Sequence, residues 1–216
     1  MNRHHIAKIA LLVAGIGALA PRGAAADREE KRYTLSGVGS ALSLEEAGGS
    51  ASPMALGGRF RWGYGLSDVL ELTLVDVGFA TTSGAKYHGS TFMDPSGQAQ
   101  TGDLFGDLYL FDVSVGARLI VNGTVSSTLA RVHPLIGARA GALVRVLGST
   151  QLLDDQHQRL FRPSMDPSLI PFVAGAAGVE YRFGPSLVVG IVADLAYGGG
   201  SYTAGTLGLE LSWLAY

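Results

Sequence analysis

The sequence predicts an all-β fold: an eight-stranded antiparallel up-and-down transmembrane β-barrel, preceded by a cleavable signal peptide. Three observations carry this reading. Apolar and polar residues alternate with period two in segment after segment, and charge keeps to one parity. The connections between segments tend to switch between short and long. Only 16% of residues are charged while 47% are hydrophobic, and soluble domains average roughly 25% charged.

The chain divides into residues 1–26 and 27–216. Arg3 and Lys8 give a positive start, and residues 9–20 form an apolar run. That run is too short to cross a bilayer as a helix. Pro21 breaks it, and Ala24, Ala25 and Ala26 supply small residues for cleavage after Ala26. A retained anchor is the alternative. Cleavage leaves 13 basic and 18 acidic residues, a net charge of −5. No other segment approaches 18 consecutive apolar residues, so no transmembrane helix is expected. With no cysteine there is neither a disulfide scaffold nor a thiolate metal site.

The first predicted strand, 33–43, is rich in Gly and Ser. The second is the clearest. Met54, Leu56, Gly58, Phe60, Trp62 and Tyr64 share one parity, while Arg59 and Arg61 share the other. Successive side chains of a strand point to opposite faces, so both arginines point one way. The third, 68–80, sets Leu70, Leu72 and Leu74 opposite Glu71 and Thr73, and then Val75, Val77 and Phe79 take the other parity. A β-bulge near Leu74 and Val75, or an error of phase, accounts for the switch.

The fourth strand sets Tyr109, Phe111, Val113 and Val115 against Asp112 and Arg118. The fifth sets Ile136, Ala138, Ala140, Ala142, Val144 and Val146 against His133, Arg139 and Arg145. The sixth sets Val173, Val179, Tyr181 and Phe183 against Glu180 and Arg182. The seventh sets Val189, Ile191, Leu195 and Tyr197 against Asp194. The eighth sets Leu207, Leu209, Leu211 and Trp213 against Glu210. Four strands carry two charges each, and in all four the pair shares parity.

Short connections follow the second and sixth strands, at 65–67 and 184–186, and a medium turn spans 122–131. Longer polar ones lie at 44–53, 81–105 and 148–168. The last, 198–201, is short and breaks the trend. With a periplasmic N-terminus, the long loops face outward from the cell. On this topology Tyr33, Trp62, Tyr64, Tyr181, Phe183 and Trp213 cluster at one end, and Phe79, Tyr109, Phe111 and Tyr197 at the other. They read as two interfacial girdles, or simply as aromatics that end strands.

A bilayer leaves no backbone polar group to water, so a spanning sheet must close on itself. A soluble barrel reverses the pattern, with an apolar interior and a charged exterior. Here the apolar parity carries no charge, and the predicted strands hold no lysine.

These residues resemble the small outer-membrane β-barrel superfamily: the OmpA transmembrane domain, OmpX and OmpW. The resemblance covers residues 33–216 and rests on strand pattern, loop asymmetry and the end of the chain. Tyr216 matches the usual terminal aromatic, although Leu207, Leu209, Leu211 and Trp213 are out of step with it. The resemblance implies a bacterial outer-membrane location, contact with lipid and lipopolysaccharide, and reading of the last strand by the barrel-assembly machinery. A monomer without cofactor and without nucleic acid is expected.

The inward cations are Arg59, Arg61, Arg118, Arg139, Arg145 and Arg182, and the anions are Glu71, Asp112, Glu180, Asp194 and Glu210. Their near balance predicts Arg–carboxylate pairs, since the guanidinium fork matches a carboxylate. An eight-stranded interior is only wide enough for side chains to fill it. A plugged, salt-bridged core is therefore expected, with a narrow polar pore as the alternative. Inward glycines, Gly57, Gly116 and Gly141 among them, leave room for long side chains.

His133 reads as a structural histidine. His88 and Ser90 resemble the His-x-Ser pair of outer-membrane lipid A deacylases, with Asp94 and Asp103 as candidate carboxylates. They sit in a predicted loop, so no enzyme is expected. The mixed charge of 152–167 suits a solvated loop, or one that binds a divalent cation or lipopolysaccharide phosphates. A structural or interaction barrel is the leading expectation, with a narrow conduit for small, apolar solutes second, as the OmpW resemblance implies.

Overall fold

The computed structural model describes residues 30–67, 69–121 and 131–215. The expected signal peptide with its cleavage after Ala26, residue 68, most of the 122–131 turn, and Tyr216 lie outside them.

The described chain is all strand and turn. Its elements are β1 (Lys31–Glu46), β2 (Gly49–Ala51), β3 (Met54–Gly65), β4 (Leu70–Met93), β5 (Ala99–Ile120), β6 (Val132–Leu153), β7 (Arg159–Phe161), β8 (Ser168–Arg182), β9 (Leu187–Gly198) and β10 (Tyr202–Ala215). Eight of them form the ring, in the order β1, β3, β4, β5, β6, β8, β9, β10. β10 then pairs antiparallel with β1 from Lys31↔Ala215 to Leu44↔Tyr202 and closes it. β2 lies between β1 and β4, and β7 pairs with β6. Closure leaves no open edge at membrane depth, which is what lipid demands of a sheet.

The alternation sets each strand's facing. In β9 exposed and buried residues alternate without a break, and Leu187, Val189, Ile191, Leu195 and Tyr197 face out. In β1 the inward set is Arg32, Thr34, Ser40, Leu42 and Leu44. The phase switch in the third predicted strand is a β-bulge: Trp62 pairs with Val75, while Gly63 pairs with Thr73. Leu74 is the extra residue, and it turns every later even-numbered side chain of β4 at membrane depth inward.

The predicted strands are too short at the outer end. The expected loop at 81–105 is largely strand, because β4 runs to Met93 and β5 starts at Ala99, and the one at 148–168 holds the end of β6, which runs to Leu153, and all of β7. Register shifts at Thr82/Ala85, Tyr87/Ser90 and Phe105/Asp107 break the period-two pattern there. The 44–53 loop likewise holds the end of β1 and all of β2. Lysine does occur in strands, at Lys31 and Lys86. Along β5 the outward parity reads Leu119, Ala117, Val115, Val113, Phe111, Tyr109, and then Asp107, Phe105, Asp103. Charge on the outward face begins only beyond Tyr109, and this marks the upper limit of the apolar band.

The two tall hairpins end in the same turn. Asp94 accepts a main-chain bond from Gly97, and its own N–H donates to Gln98. Asp154 does the same with His157 and Gln158. In each, an aspartate Oδ1 accepts the N–H groups two and four residues on, at 2.8–2.9 Å. The Ser96 hydroxyl and the Gln98 N–H hold the exposed Asp94 carboxyl below the usual carboxylate range. The turn closes on a left-handed residue, φ 82° at Gly97 and φ 60° at His157. A side chain is strained there and glycine is not. His157→Gly is therefore expected to raise stability by roughly 0.5 kcal/mol, read as a higher urea midpoint with unchanged slope.

Candidate functional site: the barrel interior

The lower part of the interior, nearest the turns that follow β3 and β8, is a continuous run of alternating charge. Arg32 in β1 meets Glu71 and Glu180, each at 2.9 Å. Glu71 also lies 3.8 Å from Arg118. Arg118 binds Glu210 at 2.9 Å, and Glu210 binds Arg61 at the same distance. Arg61 approaches Asp76 at 3.4 Å, and Asp76 takes Arg59 at 3.2 Å. The run ends in a four-membered ring. Arg59 reaches Asp112 at 3.5 Å and Asp194 at 3.2 Å, while Arg139 reaches the same two carboxylates at 3.2 and 3.3 Å. Arg139 also lies over the Phe172 ring, 5.0 Å from its centroid.

Arg182 joins the lower end through Glu180 at 3.7 Å and is partly exposed. Six arginines thus alternate with six carboxylates, and the run is neutral. Buried charge is tolerable only when paired. Close approach of the strands serves this packing. Gly78 is in register with Asp112, and a Cβ at Gly78 would collide with the Asp112 carboxylate.

The expected network needs two additions and one removal. Arg32 and Asp76 belong to it and are missing from the sequence-predicted set. Arg32 falls in a polar stretch ahead of the first predicted strand, and Asp76 is assigned a face only once the bulge is placed. Arg145 does not belong to it. It pairs with Glu46 and donates to the Glu45 carbonyl at 3.0 Å, at the outer mouth.

The upper interior is apolar, a layer that the expected salt-bridged core does not include. Leu42, Leu44, Leu108, Leu110, Leu143 and Leu147 are among its buried members, with Tyr202 packed at the boundary. This part of the interior lies at and above the level of Phe79, Tyr109 and Phe111, where strand extensions leave the apolar band. The fold there follows the rule for soluble sheets, with apolar groups inside.

All ten aromatics assigned to girdles sit on the outward parity. Tyr33 is in register with both Trp62 and Trp213. The Tyr181 and Phe183 rings lie 4.7 Å apart, near the turn to β9, and Tyr64 is near the end of β3. Toward the other end the Phe79 and Phe111 rings lie 4.9 Å apart, Tyr109 is in register with Thr81, and Tyr197 lies one residue from the end of β9.

His88 and Ser90 do not form a dyad. Gly89, at φ 75°, puts them on opposite faces: His88 is exposed and Ser90 fully buried. His88 Nδ1 lies 3.2 Å from Asp103, while the Ser90 hydroxyl donates to the Glu46 carbonyl at 3.1 Å. His133 is buried and in register with Glu180. Among the described residues no group of three or more His, Asp or Glu side chains is arranged to hold a metal ion.

Ring closure, a charge-free outer band and a charge-paired interior define the class, a transmembrane β-barrel of eight strands. No family model and no curated protein matches the sequence. Solved structures do. Neisserial surface protein A matches with a TM-score of 0.54 at 15% identity, over 84% of this chain and 96% of that one. The outer membrane protein OprG of Pseudomonas aeruginosa matches with a TM-score of 0.50 at 11% identity, over 88% of this chain and 97% of that one. The chain therefore has the fold of the small outer-membrane β-barrels, in line with the sequence resemblance.

Arg139 holds two carboxylates at once, so Arg139→Ala leaves Asp112 and Asp194 short of a counter-charge. Truncating one member of a buried ion pair costs about 3 kcal/mol. The folded band on a semi-native gel is expected to be lost at lower temperature than in the parent protein.

Proposed function

We propose that this protein is a closed outer-membrane barrel with a structural or interaction role, carrying a packed extracellular head and conducting no solute. The filled interior is the observation that supports this reading. The cavity bordered by Arg61, Asp76, Arg118, Arg139 and Asp194 measures about 20 Å³, and so does the one bordered by Arg59, Asp112, Tyr202 and Thr206. Each has room for about one water. Above them lies the apolar layer, which adds a barrier to ions. A hydrated ion meets paired charges first and hydrocarbon next.

In this reading lipid acyl chains cover the outward parity, and the ten aromatics sit at the two headgroup levels. The chain acts as a single copy, and the assembly machinery reads β10. The head displays Asp103, Asp107, Asp155 and Asp166 against Lys86, Arg159 and Arg162. Lys86 is engaged by Asp103 at 2.8 Å. Direct contact with lipopolysaccharide phosphates therefore falls to Arg159 and Arg162. The role is non-enzymatic, because the Ser90 hydroxyl is turned away from His88.

Planar-bilayer recording of the refolded barrel tests the proposal. A flat trace at 100 mV is the expected result. Reproducible stepwise openings would contradict it and favour a narrow conduit for small solutes.

A further inference from the structure

The outer mouth is shut by contacts that converge on one hairpin. β1 and β2 are joined by a two-residue turn, Ala47 and Gly48, both with positive φ (48° and 80°). β1 and β6 stand on opposite sides of the ring, four strands apart in either direction. Yet Arg145 of β6 reaches the tip of β1. Its Nη1 donates to the Glu45 carbonyl at 3.0 Å, its Nη2 pairs with the Glu46 carboxylate, and its Nε donates to Ser168 at 3.1 Å. One side chain thus bridges the main chain of the hairpin and the far wall, so the mouth is pinched to the length of an arginine.

The other contacts hold the hairpin against β4. The Ser90 hydroxyl donates to the Glu46 carbonyl, and the Thr91 N–H to the Ala47 carbonyl at 2.9 Å. Gly49 packs so tightly against His88 and Ser90 that a Cβ there would overlap them. Beneath the hairpin lie Leu42, Leu44, Ala55 and Leu143 of the apolar layer, all buried. Arg145 and Glu46 are the only charged pair among the described residues of that layer. The Glu46 side chain keeps 22% of its surface exposed, so the outer solution has access to the pair.

We propose that the β1–β2 hairpin is an extracellular lid, latched to the far wall by Arg145 and Glu46. Releasing the latch opens the apolar layer to the outer solution and leaves the charge-paired layer below intact. The lid rests on the reading of a closed barrel, but its test does not depend on conduction.

The chain has no cysteine, so single thiols report cleanly. Ala55→Cys places one in the apolar layer, and Thr34→Cys places one among the charged groups; both positions are fully buried. Each is made alone and together with Arg145→Met, which removes the bonds to both Glu45 and Glu46, and each is exposed from outside to a membrane-impermeant maleimide. The expected result is at least tenfold faster labelling of Ala55→Cys in the Arg145→Met background, with Thr34→Cys unchanged. An unchanged rate at Ala55→Cys overturns the latch. Faster labelling at both sites overturns it as well, because the variant then loosens the whole barrel rather than its mouth. A flat bilayer trace in either background leaves the closed-barrel reading in place whatever the labelling shows.

Discussion

Everything in this fold depends on where charge can go when the outside of a sheet is lipid. At membrane depth the outward positions carry none, so every charged side chain of the wall points into an interior only a few side chains wide. Charges confined there cannot be hydrated as they are in water, and each must find an opposite charge. The result is an alternating run from Arg182 through Glu180, Arg32, Glu71, Arg118, Glu210, Arg61, Asp76 and Arg59 to the ring with Asp112, Arg139 and Asp194. Arginine suits this role because one planar fork serves two carboxylates, as Arg61 does for Asp76 and Glu210. Its members come from all eight wall strands, so the run ties together walls that share no hydrogen bonds.

The constraint ends where the lipid ends. Above Tyr109 and Phe111 the outer face takes up Asp107, Asp103 and Lys86, and the inner face turns to leucine. The same strands therefore follow the membrane rule below and the soluble rule above. The interior becomes two layers of opposite chemistry, charge-paired and apolar. In the closed-barrel reading proposed above, the apolar layer stops a polar solute and the charge-paired layer an apolar one.

This division also explains what the sequence makes legible. Where lipid imposes it, alternation is strict, and the facing of Arg59, Arg61, Arg118, Arg139, Glu180, Asp194 and Glu210 follows from parity alone. Asp76 is one step harder. Its parity is that of Leu70, Leu72 and Leu74, which face out, and only the extra residue at Leu74 turns it inward. Arg32 precedes any visible apolar periodicity. Arg145 is correctly inward, but its partner Glu46 lies in a segment without periodicity, so nothing in the pattern joins the two. At the upper girdle both faces of a strand hold apolar residues, as in Leu108, Tyr109, Leu110 and Phe111, and above it bulges at Gly84 and Gly89 reset the phase. A period-two reading loses the strand there even though its hydrogen bonds continue.

On this reading the buried charges act as pairs rather than as independent polar residues. A double-mutant cycle on Arg61 and Glu210, 2.9 Å apart, tests it directly, with stability read from urea unfolding in lipid vesicles for Arg61→Met, Glu210→Leu and the double variant. The double variant is expected to lose less than the sum of the singles, by about 2 kcal/mol. Additivity to within about 0.5 kcal/mol would contradict it.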